Sequence, residues 1–497
     1  MESRVQNPAT SRRRAGVLLH PSSLPGPRAQ GEIGSQAFRF IDFLAESGFT
    51  VWQTLPLGPT HSDGSPYNCW SVYANDLRLL DLSIVVKNRW LPELPDYHAG
   101  SFDEDARYRD AVLTSAWTNY ERDATANQRS RFSQFKKKES YWLDDFALYA
   151  VLRQANDCRP WTEWPEGLKN RDEHQLNEAR LSLASALEVT KFGQYLFDIQ
   201  WRALRRRARS KGILLFGDMP IYVAHDSAEV WMHPEFFKLT GEGQLEEVAG
   251  VPPDYFSATG QRWGNPLYRW EVLKKHHYAW WVERLRRQLS MFDLVRIDHF
   301  RAFESYWAIP AKAATAMEGQ WVKAPGDSLF ATFKQQLGTL PLVAEDLGDI
   351  TPEVTRLRKK HGLPGMKVLQ FAFDGSSDNP HLPLNYEADA VAYTGTHDNN
   401  TTVAWFTALA PQTQRYVLSC LEHSNEPMPA PMIKTLLRSQ ASLVILPMQD
   451  ILGLGEGHRM NTPGTASGNW NWRLGWDWLP GESAELFRGL NAATQRL

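Results

Sequence analysis

The fold is decided by a short segment in which an apolar strand ends in charged side chains, Asp293-Leu-Val-Arg-Ile-Asp-His-Phe300. Val295 and Ile297 alternate with charged residues, so the β-strand period of two places them together on one side of a strand. Arg296 and Asp298 then lie together on the other side. An arginine beside a carboxylate favours the ionised form of the acid. Such a carboxylate is either half of a structural ion pair or a nucleophile, and this segment alone leaves both interpretations open.

Two later segments have the same design, a short apolar run that ends in acids. They are Leu342-Val-Ala-Glu-Asp-Leu-Gly348 and Val391-Ala-Tyr-Thr-Gly-Thr-His-Asp-Asn399. Three separated strands that each end in a carboxylate are typical of an α/β protein with a (β/α)8 TIM barrel, where the chemistry gathers at the carboxyl ends of parallel strands. We therefore expect one converging site.

Composition excludes several classes of function. The chain has 497 residues, of which 42% are hydrophobic and 22% are charged, as is ordinary for a soluble globular protein. The net charge of −3 gives no electrostatic argument for a nucleic acid or membrane partner. The 20 tryptophans supply flat faces of the kind that sugar rings stack against, although tryptophan also fills ordinary cores.

Cysteine usage and the first residues indicate a cytoplasmic protein. Cys69, Cys158 and Cys420 are far apart and odd in number, so they suggest neither a disulfide framework nor a zinc site. Residues 1–14 are polar and lack the apolar core of a secretory signal, so we expect a flexible tail. No run reaches the roughly 18 apolar residues that a membrane span requires.

Eight buried-type strands can be placed along the chain. They are Ala15–Leu19, Val51–Leu55, Ile213–Asp218, Leu294–Ile297, Leu342–Ala344, Lys367–Phe371, Ala390–Thr394 and Ser442–Pro447. The segment Thr60–Asn75 combines turn residues with interleaved aromatics, which is typical of a binding loop above a barrel.

Two large insertions interrupt the alternation of strand and helix. Residues from about 77 to 189 are charged and predict a mostly helical insertion after the second strand. Residues from about 222 to 270 follow the third strand, are rich in proline and glycine, and predict an irregular loop. A smaller excursion is expected at Tyr306–Trp321. We expect residues 15–497 to form a single catalytic barrel domain.

Carboxylates at strand ends, with no metal or cofactor motif, match hydrolysis or transfer at an acetal carbon. In that scheme Asp298 is the nucleophile, and Glu345 is the acid and then the base, which requires a raised pKa. Asp398 holds sugar hydroxyls, with His397 and Asp218 bonding neighbouring ones. Clustered acids also bind Mg²⁺ or Ca²⁺, but Arg296 beside Asp298 would repel a cation.

At these residues the chain resembles the amylomaltases, the 4-α-glucanotransferases or disproportionating enzymes of the α-amylase superfamily. The resemblance rests on motifs spread over essentially the whole chain: Leu19–Gly26, Leu55–Pro59, Ser65-Pro66-Tyr67, Gly217–Val223, Gly250–Pro266, Arg296–His299, Ala344–Gly348, Thr394–Asn399, Arg459–Gly464 and Gly468-Asn469-Trp470.

The resemblance implies a function and a set of residues for it. The implied activity is retaining transfer of α-1,4-glucan segments between maltooligosaccharides, starch or glycogen, without a cofactor. The implied catalytic residues are Asp298, Glu345 and Asp398, and the implied sugar-binding residues are Ser65, Tyr67, Asp218, Arg296, His397 and Asn469. The loop carrying Gln261 and Trp263 is implied to arch over the cleft and exclude water. A C-terminal antiparallel β-domain should be absent.

Two alternatives stay open at the level of sequence. A hydrolase on the same barrel would keep all three acids, so the acids do not discriminate between transfer and hydrolysis. A catalytically silent glycan-binding protein would not need the intact trio. Trp263 lies among glycine and proline instead of on a periodic apolar face, which predicts a sugar-facing residue and not a core one.

Overall fold

The computed structural model of the chain describes residues 7, 9–98, 101–253 and 257–497. Within these residues twelve strands occur in chain order: β1 (Arg14–Leu18), β2 (Val51–Gln53), β3 (Leu214–Met219), β4 (Glu247–Val251), β5 (Gln261–Pro266), β6 (Leu294–Ile297), β7 (Ser305–Pro310), β8 (Gln320–Lys323), β9 (Leu342–Ala344), β10 (Met366–Val368), β11 (Val391–Tyr393) and β12 (Leu443–Pro447). Eight of them form a parallel sheet in the order β10-β11-β12-β1-β2-β3-β6-β9.

The same residues contain eighteen α-helices: α1 (Ser35–Glu46), α2 (Ser83–Lys87), α3 (Phe102–Asp123), α4 (Ala126–Lys138), α5 (Ser140–Ala155), α6 (Glu166–Lys169), α7 (Glu173–Ser182), α8 (Ala184–Ser210), α9 (Ala228–Met232), α10 (Trp270–Lys275), α11 (Ala279–Met291), α12 (Gly326–Leu337), α13 (Pro352–His361), α14 (Thr402–Ala408), α15 (Pro411–Cys420), α16 (Ala430–Arg438), α17 (Met448–Ile451) and α18 (Ser483–Ala493).

The parallel sheet curls until its two outer strands meet, which makes it a nearly closed barrel. A single parallel bridge joins Ala344 at the end of β9 to Gly365 just before β10. The carboxylate of Asp346 accepts a hydrogen bond from the backbone N–H of Met366 at 2.7 Å, and Arg358 lies 3.1 Å from the same carboxylate. The side chain of Asp346 therefore helps to join β9 to β10, where the backbone pairing consists of a single bridge.

The predicted (β/α)8 barrel is confirmed. Each of the eight barrel strands lies within its predicted segment or begins one residue before or after it. The prediction succeeds because strands that are buried on both sides are continuous apolar runs. The sixth barrel strand differs most. It covers Met366–Val368, and Leu369–Phe371 continue as a 3-10 helix.

A small antiparallel sheet lies outside the barrel, with the order β5-β4-β7-β8. It is built from two separate stretches of chain, since β4 and β5 follow β3 while β7 and β8 lie between β6 and β9. Part of the segment predicted as an irregular loop at about 222–270 is therefore ordered strand. The sequence prediction also missed β7 and β8. The sheet is an insertion and not a C-terminal domain; residues 254–256 of the loop lie outside the described part.

Helices α2 to α8 occupy the chain between β2 and β3. They pack around aromatic side chains: the ring of Phe192 on α8 lies 5.4 Å from Trp117 and 5.0 Å from Tyr120 on α3. Helix α4 begins with a reciprocal capping box between Thr125 and Gln128, which satisfies backbone N–H groups at its start. Burial of these large rings stabilises the segment.

Part of the predicted tail, residues 1–6 and 8, lies outside the described residues. Arg14 already belongs to β1, and the guanidinium of Arg13 donates to the backbone oxygens of Leu437 and Ser439 at 3.0 and 2.9 Å. In the described part of the chain, no helix combines the length and the apolar character needed to cross a bilayer.

Candidate active site

Two of the predicted carboxylates follow neighbouring barrel strands at matching positions. Ile297 at the end of β6 pairs with Ala344 at the end of β9, and Asp298 and Glu345 are the next residues. The backbone N–H of Glu345 donates to the oxygen of Ile297 at 3.0 Å. Because adjacent strands are about 4.8 Å apart, the two carboxylates start from neighbouring points of the backbone.

Arg296 lies between two carboxylates and binds both. Its guanidinium donates to Asp298 Oδ1 at 2.7 Å and to Asp218 Oδ2 at 2.6 Å. Asp218 on β3 is the register partner of Arg296 on β6, so the pairing of the strands sets this contact. The Asp218 side chain is fully buried. A planar guanidinium with two separate donor pairs suits this bridging role.

Tyr67 completes the cluster from the loop after β2. Its hydroxyl donates to Asp218 Oδ2 at 2.8 Å, and its ring stacks on His397 with the ring centres 5.1 Å apart. Burial raises the pKa of Tyr67, so the phenol stays protonated and remains a donor. Ser65 supports this loop, because its hydroxyl accepts from the backbone N–H of Tyr67 at 3.3 Å.

Glu345 has the environment of a proton donor. The carboxyl group is buried, and burial raises its pKa to about 7, with the nearby charge of Asp298 adding to the shift and Arg296 opposing it. Two backbone N–H groups contact it: His299 donates to Oε2 at 2.7 Å and Leu347 to Oε1 at 2.9 Å. The carboxyl group is therefore fixed in position yet able to hold a proton near neutral pH.

Asp398 lies at the rim of the same cluster, on the loop after β11. His397 Nε2 is 3.3 Å from Asp398 Oδ1. Asn461 donates to the same oxygen at 2.7 Å, and Arg459 donates to the backbone oxygen of Asp398 at 2.7 Å. The Asp398 side chain remains 46% exposed, so it can accept hydrogen bonds from a ligand.

Trp263 projects from the small antiparallel sheet towards His299, the residue after Asp298. The sheet has a β-bulge here: the pairs Gly250–Arg262 and Val248–Pro266 are two positions apart along β4, whereas they are four positions apart along β5. This bulge contains Trp263 and Gly264, and Gly264 has φ of 82°, which favours glycine. A bulge re-aims side chains. The Trp263 ring meets that of His299 edge to face at 4.8 Å, and its indole N–H donates to Gln261 at 3.1 Å.

Some residues around the cluster were not singled out from the sequence. Asn461 and Arg459 hold Asp398, and the ring of Trp470 lies 6.0 Å from both Tyr67 and His397. All three stood inside the motifs that carried the family resemblance, which was the available signal. Asn469, by contrast, was predicted to bind sugar. Its side chain bonds within its own loop, accepting from the N–H of Thr462 at 2.8 Å.

The helical segment braces the loop that carries Tyr67. Asp226, after β3, accepts from the Tyr149 hydroxyl at 2.6 Å and from Arg153 at 3.0 Å, and both donors lie on α5. The guanidinium of Arg153 lies 4.8 Å from the ring of Trp70 in the Tyr67 loop. The helices thus contact this region through a half-buried ion pair and a cation–π contact.

Comparisons with known proteins match the chain over nearly its whole length. The model of glycoside hydrolase family 77, described as 4-alpha-glucanotransferase, matches residues 19–477. The 4-alpha-glucanotransferase of Thermus thermophilus is 46% identical over 497 residues, which covers 97% of this chain and 99% of that protein. The 4-alpha-glucanotransferase of Synechocystis sp. is 44% identical over 485 residues, covering 95% of this chain and 96% of that protein.

A solved structure matches in fold as well. The amylomaltase from Streptococcus agalactiae, in complex with acarbose, superposes with a TM-score of 0.92 at 36% sequence identity. The match covers 98% of this chain and 100% of that one. The similarity in fold therefore extends over nearly the whole of both chains.

Proposed function

The chain belongs to the 4-alpha-glucanotransferase family, and on that premise we propose that it works by retaining double displacement through a covalent glycosyl-enzyme on Asp298. Its activity is that of a 4-α-glucanotransferase, acting on α-glucans. One observation carries the mechanism. Two carboxylates follow registered residues of adjacent strands, and one is ion-paired with Arg296 while the pKa of the other is raised to about 7. An ionised nucleophile beside a protonated acid is what retention requires.

In the first step Asp298 attacks the anomeric carbon of the donor glucan. The bond from that carbon to the glycosidic oxygen breaks, and Glu345 gives its proton to the departing oxygen. In the second step Glu345 takes the proton from the 4-hydroxyl of an acceptor glucan. That oxygen bonds to the anomeric carbon as the Asp298 ester bond breaks, so the configuration is retained and both carboxyl groups return to their starting states.

The other residues hold the sugar at the reacting position. We assign Asp398 and His397 to neighbouring hydroxyls of that ring, with Asn461 fixing the carboxylate of Asp398. The floor of the sugar-binding cleft is formed by Arg296, Asp218 and Tyr67. Arg296 also stabilises the negative charge that returns to Asp298 when the ester bond breaks. Such preset hydrogen bonds need no reorganisation during the reaction.

Transfer instead of hydrolysis requires that water be kept from the glycosyl-enzyme. The proposal gives this role to Trp263 and Gln261, which stand on the bulged strand beside His299, and adds Ser65 and Asn469 as supports of the loops that line the cleft. A bound acceptor hydroxyl competes with bulk water, because groups held in position can have effective molarities of about 10⁵ M. Maltooligosaccharides and starch- or glycogen-type α-1,4-glucans are the proposed donors and acceptors.

Further parts of the proposal concern the whole protein. We propose that residues 15–497 act as one catalytic domain, in which the helices between β2 and β3 brace the cleft. A cytoplasmic location is supported by the three cysteines, all of which are free thiols.

The mechanism is tested with an α-glucosyl fluoride, whose leaving group departs without protonation. Glu345→Gln should lose activity on maltotriose yet accept the glucosyl group from the fluoride, and mass spectrometry should find the sugar on Asp298. Asp298→Asn should be inactive with both substrates. Melting curves of the two variants provide the control for folding. A label on Glu345, or fluoride turnover by Asp298→Asn, would contradict the assignment.

A further inference from the structure

The loop that carries His397 and Asp398 is held at both ends by one buried side chain. Thr394 directly follows β11, and its hydroxyl donates to Asp450 Oδ2 at 2.5 Å. Thr402 begins α14, and it donates to the same carboxylate twice, from its hydroxyl at 2.7 Å and from its backbone N–H at 2.8 Å. The seven residues between these points therefore form a loop closed by Asp450.

Asp450 itself is fixed in the barrel. It follows β12 on the short helix α17 and is 2% exposed, and both threonines are fully buried. Burial raises the pKa of Asp450, while the hydrogen bonds from Thr394 and Thr402 oppose that shift. A buried carboxylate is costly unless it is hydrogen-bonded, and here the described bonds to its side chain all come from the ends of this loop.

The loop borders an open pocket. Among the residues that line this pocket are His20, Thr396, His397, Asn399 and Asp450. Hydrogen bonds of two kinds hold this loop. Those to Asp450 fix its two ends, and those from Asn461 and Arg459 hold Asp398 within it.

We propose that Asp450 is a positioning residue for glucan transfer, which places the sugar-binding side chains of His397 and Asp398 by clamping Thr394 and Thr402. This inference rests on the role given to Asp398 under the proposed function. Asp450 does not touch the substrate. It acts through the loop, so its loss should move Asp398 away from the sugar without changing the chemistry of Asp298 or Glu345.

The experiment compares four variants of the full chain. Asp450→Ala removes the clamp, and Asp450→Asn keeps an acceptor for the Thr402 N–H while its amide can donate to the hydroxyls. Thr402→Val removes one hydroxyl with little change in shape, so it tests the clamp even where Asp450→Ala fails to fold. Asp105→Ala is the matched control, because it removes another fully buried carboxylate, in the helical segment.

The measurements are kcat and KM for maltotriose, the dissociation constant of acarbose by calorimetry, and hydrogen exchange of residues 395–401. Asp450→Ala should lower kcat/KM about 100-fold, the scale that a misplacement of about 1 Å produces. Thr402→Val should lower it roughly tenfold, as for one lost bond to a charged group. Asp450→Asn should recover most of the loss, and Asp105→Ala should change thermal stability alone.

A double-mutant cycle distinguishes positioning from general damage. In an Asp398→Ala background, Asp450→Ala should lower kcat/KM by less than about threefold, since both changes remove the same interaction. Independent losses that multiply would overturn the inference, and so would unchanged exchange of residues 395–401 in Asp450→Ala. Full activity of Asp398→Ala would instead refute the proposed function, and the exchange data would then still decide whether Asp450 holds the loop.

Discussion

The backbone N–H of His299 donates to Oε2 of Glu345 at 2.7 Å, so the residue that follows the proposed nucleophile binds the proposed acid. His299 adopts a left-handed conformation with φ of 52°, which turns its N–H towards Glu345. Burial lowers the pKa of the His299 imidazole to about 4, so the ring that meets Trp263 is neutral. His299 thus connects Asp298, Glu345 and the strand that carries Trp263.

Activity should fall as the pH rises above neutrality. The first step of the proposed mechanism needs protonated Glu345, and burial raises the pKa of that carboxyl group to about 7. We expect kcat/KM for maltotriose to drop about tenfold per pH unit above that value. With an α-glucosyl fluoride as donor, kcat/KM should not decline above pH 7, because fluoride leaves without a proton. A matching decline with both donors would show that another group titrates.

The same carboxyl group should make the protein less stable at high pH. The pKa of Glu345 is raised from 4.5 to about 7 on folding, so the folded state holds its proton more tightly. That stabilisation is complete below pH 4.5 and is lost as the pH rises through 7. Between pH 5 and 8 the wild type should lose up to about 3 kcal/mol relative to Glu345→Gln. Denaturant unfolding at the two pH values measures this, and equal losses would contradict it.

Removal of Arg296 should damage both stability and activity. Arg296→Met leaves the buried Asp218 without its cation, which typically costs about 3–5 kcal/mol. Adding Asp218→Asn to Arg296→Met should recover much of that stability, because the unpaired charge is gone. Activity should stay lost in the double variant, since Asp298 still lacks its partner. Chemical denaturation and maltotriose turnover provide the two readouts; recovered activity would show that Arg296 is only structural.

Trp263 should matter for product partition and little for stability. Its side chain is 39% exposed, and one edge-to-face aromatic contact is worth about 0.5–1.5 kcal/mol. Trp263→Ala should therefore melt near the wild type while releasing more new reducing ends per transfer event from maltotriose. Trp281→Ala is the matched control, because Trp281 is fully buried and its truncation should cost about 3–5 kcal/mol. A large loss of stability in Trp263→Ala would contradict the covering role.

The barrel could be predicted from the sequence because its strands are short apolar runs, such as Leu342–Ala344, that stop at charged residues. The small sheet could not. Gln261–Pro266 pairs through a bulge at Trp263 and Gly264, and a bulge breaks the alternation by which a strand is detected. The next strand of the sheet, β4, pairs with β7, whose residues lie about 60 positions further along the sequence, and no local pattern encodes that pairing.

The site was predictable to a similar degree. Asp298 and Glu345 could be placed because each ends a recognisable strand. The hydrogen bond from Asn461 to Asp398 joins residues 63 positions apart, and it depends on how the chain folds back after β12. Contacts of this kind come from loop geometry, which composition and periodicity do not specify.

The small sheet is formed by two stretches of chain that belong to different connections between barrel strands, β3 to β6 and β6 to β9. Glu247 of β4 pairs with Pro310 of β7, so each stretch supplies hydrogen-bonding partners for the other. An exchange of residues 247–266 alone between homologues would leave the edge of β7 unmatched. The small sheet therefore has to be inherited, or engineered, as two co-adapted segments, one before and one after Asp298 in the sequence.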